Sequence, residues 1–96
     1  MARSVFVVAY DISDDRRRDK VYRAMLGFGD WTQYSVFLCE LNAQELARMR
    51  SRVRALIDER RDQIIVVEVG SVTRPLETAI EAIGRPYEPN VRSIVI

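Results

Sequence analysis

The sequence predicts an α+β fold in one domain, with elements in the order strand, helix, strand, strand, helix, strand. Two observations give this order. Short stretches rich in apolar and β-branched residues indicate strands, and two longer stretches between them, in which apolar residues recur every three or four positions, indicate helices. The third observation is size, because 96 residues support one modest core and no separate substrate domain. The composition, 48% hydrophobic and 30% charged, is that of a globular protein, which excludes disordered and collagen-like classes.

The first predicted strand runs from Ser4 to Asp11, and Val5 to Ala9 are apolar on both alternating sets. That pattern is typical of a central strand rather than an edge strand. The strand ends in the carboxylate of Asp11, at a sheet end where loops gather. Asp11 is therefore our candidate functional residue, although an Asp after a strand is also a common turn former.

The first predicted helix runs from about Asp14 to Phe28, with Ser13 as its N-cap. Gly27 and Gly29 mark the end of the helix, and we expect one of them to adopt the left-handed conformation.

Basic residues follow one another in the first turns of this helix. Their functional interpretation is a row that pairs with phosphate oxygens of nucleic acid, since the arginine fork binds phosphate in a bidentate way. The alternative is an ordinary solvated helix face. The candidate nucleic-acid-binding residues are Arg16, Arg17, Arg18 and Lys20.

The stretch W-T-Q-Y-S-V-F-L-C-E-L predicts two short strands that meet near Tyr34 and Ser35, or one bent strand. Trp31 is a candidate platform for stacking a base, with packing against the core as the favoured interpretation. Cys39 is the only cysteine, so an internal disulfide is excluded, and we expect it to be a small buried hydrophobe.

The second predicted helix, about Ala43 to Arg60, begins after a capping box formed by Asn42 and Glu45. Gln63 to Val69 then predicts a fourth strand that is apolar at nearly every position.

The remaining residues divide the chain into a predicted domain, 1–84, and a tail, 85–96. Residues 78–83 are compatible with a strand or a helical turn. Residues 91–96 predict a terminal strand that packs on a partner subunit.

These elements match the ferredoxin-like βαββαβ arrangement. Two right-handed crossovers place both helices on one face of a four-stranded antiparallel sheet, with the first and third strands central. The strand from Gln63 to Val69 then lies at an edge, without the Lys or Pro that usually protects an exposed edge. We therefore expect a homodimer in which two sheets pack about a two-fold axis and exchange their C-terminal strands.

The chain contains no histidine, which excludes Ser-His-Asp and Cys-His nucleophilic systems and histidine-ligated metals. Hard, oxygen-ligated cations remain. Two Asp11 side chains brought together by the two-fold axis could hold Mg²⁺ or another hard divalent cation, which would polarise a phosphoryl oxygen and activate water. We expect Asp14 and Asp15 to stabilise the start of the helix rather than to serve as outer ligands.

Four segments together resemble the small CRISPR-associated adaptation protein family ("Cas two") over essentially the whole chain. They are V-V-A-Y-D-I-S-D-D-R-R-R-D-K-V, Q-Y-S-V-F, D-Q-I-I-V-V-E-V and I-G-R-P. The chain departs from the family pattern in two places: Leu38 replaces a common Glu, and Asp30-Trp31 stands where an Arg is common.

The resemblance implies a ferredoxin-like homodimer that binds duplex DNA and bridges CRISPR integrase dimers during spacer acquisition. It also implies a metal-dependent endonuclease acting on single-stranded RNA or double-stranded DNA, with Asp11 as the metal-binding catalytic residue and Arg16, Arg17 and Arg18 near nucleic acid. Two alternatives stay open: a non-catalytic nucleic-acid-binding module, and a toxin-like ribonuclease with the same dimeric fold. We expect a cytoplasmic protein, because the longest apolar run is too short to span a bilayer.

Overall fold

The computed structural model describes residues 2–71, 73 and 75–88. It contains six regular elements in the predicted order and a short 3₁₀ turn at Leu76–Ala79. The elements are β1 (Ser4–Asp11), α1 (Asp15–Met25), β2 (Asp30–Gln33), β3 (Val36–Leu41), α2 (Ala43–Arg54) and β4 (Gln63–Gly70). The predicted terminal strand, 91–96, lies outside the described residues.

The four strands form one antiparallel sheet in the order β2-β3-β1-β4, as predicted. The first and third strands are central, and β4 lies at an edge. The α+β ferredoxin-like prediction is therefore confirmed, whereas the exchange of C-terminal strands in a homodimer stays a prediction.

The core lies between one face of the sheet and the two helices. Alternation along β1 sends Phe6, Val8 and Tyr10 into this core, where they meet apolar residues of both helices. Phe37 and Cys39 of β3 are fully buried there, which confirms the expectation for the cysteine.

Helix α1 differs from its prediction at both ends. Its N-cap is Asp14 rather than Ser13, because the Asp14 carboxylate accepts a hydrogen bond from the Arg17 backbone N–H at 2.9 Å. The helix ends at Met25 rather than Phe28. The Met25 carbonyl accepts hydrogen bonds from the N–H groups of Phe28 and Gly29 at 2.9 and 3.0 Å. The chain there closes into a tighter turn.

Gly29 is needed for close approach and not for a left-handed backbone. Neither Gly27 nor Gly29 has a positive φ, so that prediction is wrong. A Cβ on Gly29 would lie 2.6 Å from the Leu38 carbonyl oxygen and would also collide with the Cys39 sulfur. The glycine therefore lets the turn after α1 pack directly against β3.

Helix α2 begins as predicted but ends at Arg54, six residues before Arg60. Both hydrogen bonds of the capping box between Asn42 and Glu45 are present, at 2.8 and 2.9 Å. At the other end, the Leu56 N–H donates to the Val53 carbonyl, three residues back, at 3.0 Å, and the Asp58 N–H donates to the Asp62 carboxylate at 2.8 Å. The tighter turn ends the helix, and the Asp62 side chain then takes the N–H that a continuing helix would use.

The other face of the sheet is apolar and has no helix over it in the described part of the chain. Ile65, Val67 and Val69 of β4 are 49%, 50% and 63% exposed, and Val7 and Ala9 of β1 lie beside Val67 and Ile65. We call these five residues the open face. Among the described residues, neither helix is long and apolar enough to cross a membrane.

Candidate functional site

Asp11 is the last residue of β1, and its side chain is exposed. It is paired with Gln63, the first residue of β4. Next to it in β1, the Tyr10 N–H donates to the Ser35 carbonyl in the turn between β2 and β3 at 3.1 Å. Three connections therefore meet at one end of the sheet around Asp11: the β1–α1 segment, the β2–β3 turn and the start of β4.

The two acidic residues that follow are already engaged at the start of α1. The hydrogen bond from the Arg17 backbone N–H lowers the pKa of Asp14 below its ordinary value. Asp15 forms an ion pair with Arg18. No group of three or more acidic, Cys or His residues that could hold a metal ion is present in the described part of the chain. One copy thus presents Asp11 as a single exposed carboxylate.

The four predicted basic residues fall into two groups. Arg16 and Lys20 are exposed on α1. Arg17 and Arg18 instead make contacts within the protein. Arg18 donates to the carbonyls of Ile12 and Ser13 at 3.0 and 3.4 Å, which ties α1 to the segment that follows Asp11.

Arg17 forms a bidentate ion pair with Asp62, immediately before β4. Its Nε and Nη2 donate to the Asp62 carboxylate at 2.7 and 3.2 Å. The Asp62 side chain has no exposed area, and it also accepts from the Asp58 N–H. The hydrogen bonds from Arg17 hold the pKa of Asp62 below its usual value, and the same contact raises the pKa of Arg17.

This ion pair joins the first turn of α1, which follows Asp11 along the chain, to the start of β4, which pairs with Asp11 in the sheet. Asp62 is a residue that sequence reasoning missed. Its only local sign is an acidic residue directly before an apolar strand. No spacing connects it with Arg17, because 45 residues separate the two.

An aromatic cleft lies on the same end of the sheet, between α1 and the β2–β3 turn. Its volume is about 470 Å³, and its lining residues are Tyr10, Asp15, Arg18, Asp19, Tyr22, Tyr34 and Ser35. Burial raises the pKa of Tyr10. Trp31 is not exposed as a platform: it packs against the core and meets the Tyr22 ring edge-on, with centroids 6.5 Å apart. The packing interpretation of Trp31 is the one that the structure supports.

Together the fold and the site define a small α+β protein of ferredoxin-like topology, with an exposed carboxylate at the end of a central strand and exposed basic residues on the helix that follows. The family model described as "CRISPR associated protein Cas2" matches residues 4–74. The chain belongs to this family.

Curated relatives and solved structures agree with the match. The chain is 35% identical over 95 residues to a protein of Rhodospirillum rubrum named CRISPR-associated endoribonuclease Cas2 1, covering 99% of this chain and 92% of the relative. It is 28% identical to CRISPR-associated endoribonuclease Cas2 of Geobacter sulfurreducens, covering 96% of each. A crystal structure of a hypothetical protein from Thermus thermophilus superposes with a TM-score of 0.74 at 31% identity, covering 91% of this chain and all of the other.

Proposed function

We propose that the protein is a CRISPR adaptation subunit: a homodimer that binds duplex DNA, bridges integrase dimers during spacer acquisition, and carries a metal-dependent endonuclease site at Asp11. The observation that carries the proposal is the placement of one exposed carboxylate, Asp11, beside a helix whose Arg16 and Lys20 are exposed. Relatives named endoribonucleases support the nuclease part. The integrase partnership is tested by co-purification with the integrase of the same CRISPR locus, and its absence would count against the bridging role.

Phosphate binding is assigned to Arg16 and Lys20 because Arg17 and Arg18 have partners inside the fold. The fork of Arg17 is occupied by the Asp62 carboxylate, and the Arg18 guanidinium by two carbonyls and Asp15. A phosphate would have to compete with those partners for the same guanidinium groups. Arg16 and Lys20, four residues apart on a helix, project from neighbouring positions on its surface.

The donor set at Asp11 fits a hard cation shared between two copies. Carboxylate oxygens are the ligands that Mg²⁺ prefers, and this ion keeps several of its waters, so one carboxylate from each copy is a sufficient protein contribution. Two carboxylates brought close together also repel each other unless a cation lies between them. When bound, the ion would supply positive charge to a phosphoryl oxygen of the substrate. Asp11 would hold the ion, and exposed basic residues nearby would orient the strand.

The dimer part rests on the open face. The three side chains that edge strand β4 contributes are about half exposed or more in one copy, and Val7 and Ala9 of β1 are partly exposed beside them. Contiguous apolar patches on a soluble protein mark sites where another surface packs. A second copy packed sheet to sheet covers this face and brings the two Asp11 ends toward a common axis. The tail, 85–96, is the segment we assign to strand exchange at the edge of β4.

Substituting Val67→Asp on the open face is expected to dissociate the dimer. The charge appears twice in a symmetric interface and is buried without a partner, so the dimer dissociation constant should rise about 100-fold or more. Sedimentation at micromolar concentration measures the mass. Gln44→Asp, on the exposed surface of α2, is the matched control and should keep the wild-type mass. A monomeric wild-type protein, or a Val67→Asp variant with unchanged mass, would contradict the proposed interface.

Neutralising Arg16 or Lys20 is expected to weaken duplex DNA binding without regard to base sequence. Each lost phosphate contact should reduce the slope of log K against log salt by about 0.9. Fluorescence anisotropy over a salt series measures this slope for Arg16→Gln and Lys20→Gln. Arg52→Gln, which removes an exposed arginine from α2, is the control and should leave the slope unchanged. If Arg16→Gln and Lys20→Gln keep the wild-type slope, the two residues make no phosphate contact and belong to an ordinary solvated helix face.

A further inference from the structure

Tyr34 combines two features that a turn residue seldom shows together. Its side chain is 86% exposed, which is unusual for a large aromatic ring. Its backbone has φ of +47°, the only positive φ of a non-glycine residue in the described part of the chain. A bulky residue in this left-handed region is disfavoured relative to glycine or asparagine. Neither core packing nor turn geometry therefore accounts for a tyrosine at this position.

The turn that carries Tyr34 is held from inside the protein. The Trp31 indole N–H donates to the Tyr34 carbonyl at 2.6 Å, and the Trp31 ring packs against Tyr22. On the other side, the Ser35 carbonyl accepts from the N–H of Tyr10. The backbone of the turn is thus anchored to β1 and β2 while the Tyr34 ring stands at the rim of the aromatic cleft.

We propose that the aromatic cleft is a subsite for one unpaired nucleobase, which stacks on the Tyr34 ring. The inference rests on the proposed function and names its substrate class: a single strand, or a frayed duplex end, rather than an intact duplex. A base in a closed duplex already has both faces stacked, whereas an unpaired base offers a free face, and stacking on aromatic side chains is tolerant of base identity.

The rest of the cleft suits the edge of a base and the strand that carries it. Asp15 and Asp19 line the cleft, each ion-paired through one oxygen with an arginine of α1, and their second oxygens can accept hydrogen bonds from the exocyclic amines of adenine, cytosine and guanine. Arg18 lies on the same wall, with its guanidinium fixed by the Ile12 carbonyl. Tyr10, which lines the cleft, directly precedes Asp11 in β1, so the cleft and the candidate catalytic carboxylate lie at the same end of the strand, with their side chains on opposite faces of the sheet.

The test is the substitution Tyr34→Gly, which removes the ring and places at this position a residue that is compatible with its positive φ. Glycine adopts positive φ without a steric penalty, so the variant should melt at or above the wild-type temperature. Its dissociation constant for a short fluorescein-labelled single-stranded RNA should rise about 5- to 150-fold, the loss expected for one stacked base. Binding of a blunt duplex DNA should be unchanged. Tyr34→Trp keeps a stacking surface and should retain single-strand binding.

A second measurement reports stacking directly. A single 2-aminopurine, moved along the RNA, should be quenched at one position by the wild type and not by Tyr34→Gly. Wild-type single-strand affinity in Tyr34→Gly would overturn the subsite while leaving the proposed function standing. An equal loss of affinity for single-stranded RNA and for duplex DNA would overturn the subsite too, by making Tyr34 a general nucleic-acid contact. A changed dimer mass in sedimentation would also overturn it, by making Tyr34 a contact between subunits. If the wild type binds neither nucleic acid, both the subsite and the proposed function fall.

Discussion

Asp11→Asn is expected to lower metal-dependent cleavage of RNA or DNA by about 10²- to 10³-fold, the effect of losing several kcal/mol of charge stabilisation from a bound cation. The amide keeps the size of the side chain but removes the negative charge that holds the ion. Because Asp11 is exposed and lies at the end of its strand, the fold and the dimer should be unaffected. Cleavage of labelled single-stranded RNA and duplex DNA, with Mg²⁺ and with a chelator, measures the effect.

The matched control is Glu59→Gln, an exposed carboxylate in the turn before β4, which should cleave like the wild type. Equal cleavage by Asp11→Asn would assign the activity to another residue or to a contaminating nuclease. Spacer acquisition measured with the same variant separates the two parts of the proposed function. Normal acquisition by a cleavage-deficient variant would make the DNA-bridging role primary and the nuclease dispensable for it.

Asp62→Asn is expected to lower the melting temperature by about 10 °C, because it breaks a partly buried bidentate ion pair and leaves the Arg17 guanidinium with a neutral partner. The Asp62 side chain has no exposed area, and it accepts hydrogen bonds from both Arg17 and Asp58. The matched control is Asp19→Asn, which removes an exposed ion pair with Arg23 on α1. Such pairs contribute only about 0.3–0.5 kcal/mol, so the control should melt close to the wild type.

The same ion pair gives the stability a defined pH dependence. The pKa of Asp62 is lowered in the folded protein, so the folded state holds the ionised form more strongly than the unfolded state does. This contribution is present above the unfolded pKa of about 3.9 and is lost as the pH falls through the lower folded value. Thermal melts from pH 7 downward should therefore show a steeper acid limb for the wild type than for Asp62→Asn. Parallel limbs would contradict a folded-state role for the ionised carboxylate.

Loss of the Arg17–Asp62 pair also has a consequence for nucleic-acid binding. Arg17→Lys keeps the charge but cannot reproduce the bidentate fork, so it should destabilise the protein while leaving the salt slope of DNA binding near that of the wild type. A slope reduced as much as in Arg16→Gln would show that Arg17 contacts phosphate directly.

The amino-acid sequence by itself determined the fold and the position of the candidate carboxylate. Apolar residues on both faces of the first strand identified it as central, and helical periodicity located both helices. The capping box at Asn42 predicted the start of α2 because its signal lies within four consecutive residues. Such features depend on local conformation and on burial, both of which leave a periodic pattern in the sequence.

Only the tertiary structure decided which of the basic residues are available to a ligand. Arg16, Arg17 and Arg18 are equivalent in sequence, yet Arg17 is bound by a carboxylate 45 residues away and Arg18 by the carbonyl of Ile12. The same carboxylate also fixes the chain after α2, since Asp62 accepts from the Asp58 N–H that a longer helix would have used. A side-chain hydrogen bond between distant residues follows from how the chain folds back on itself, and it produces no spacing that can be read along the sequence.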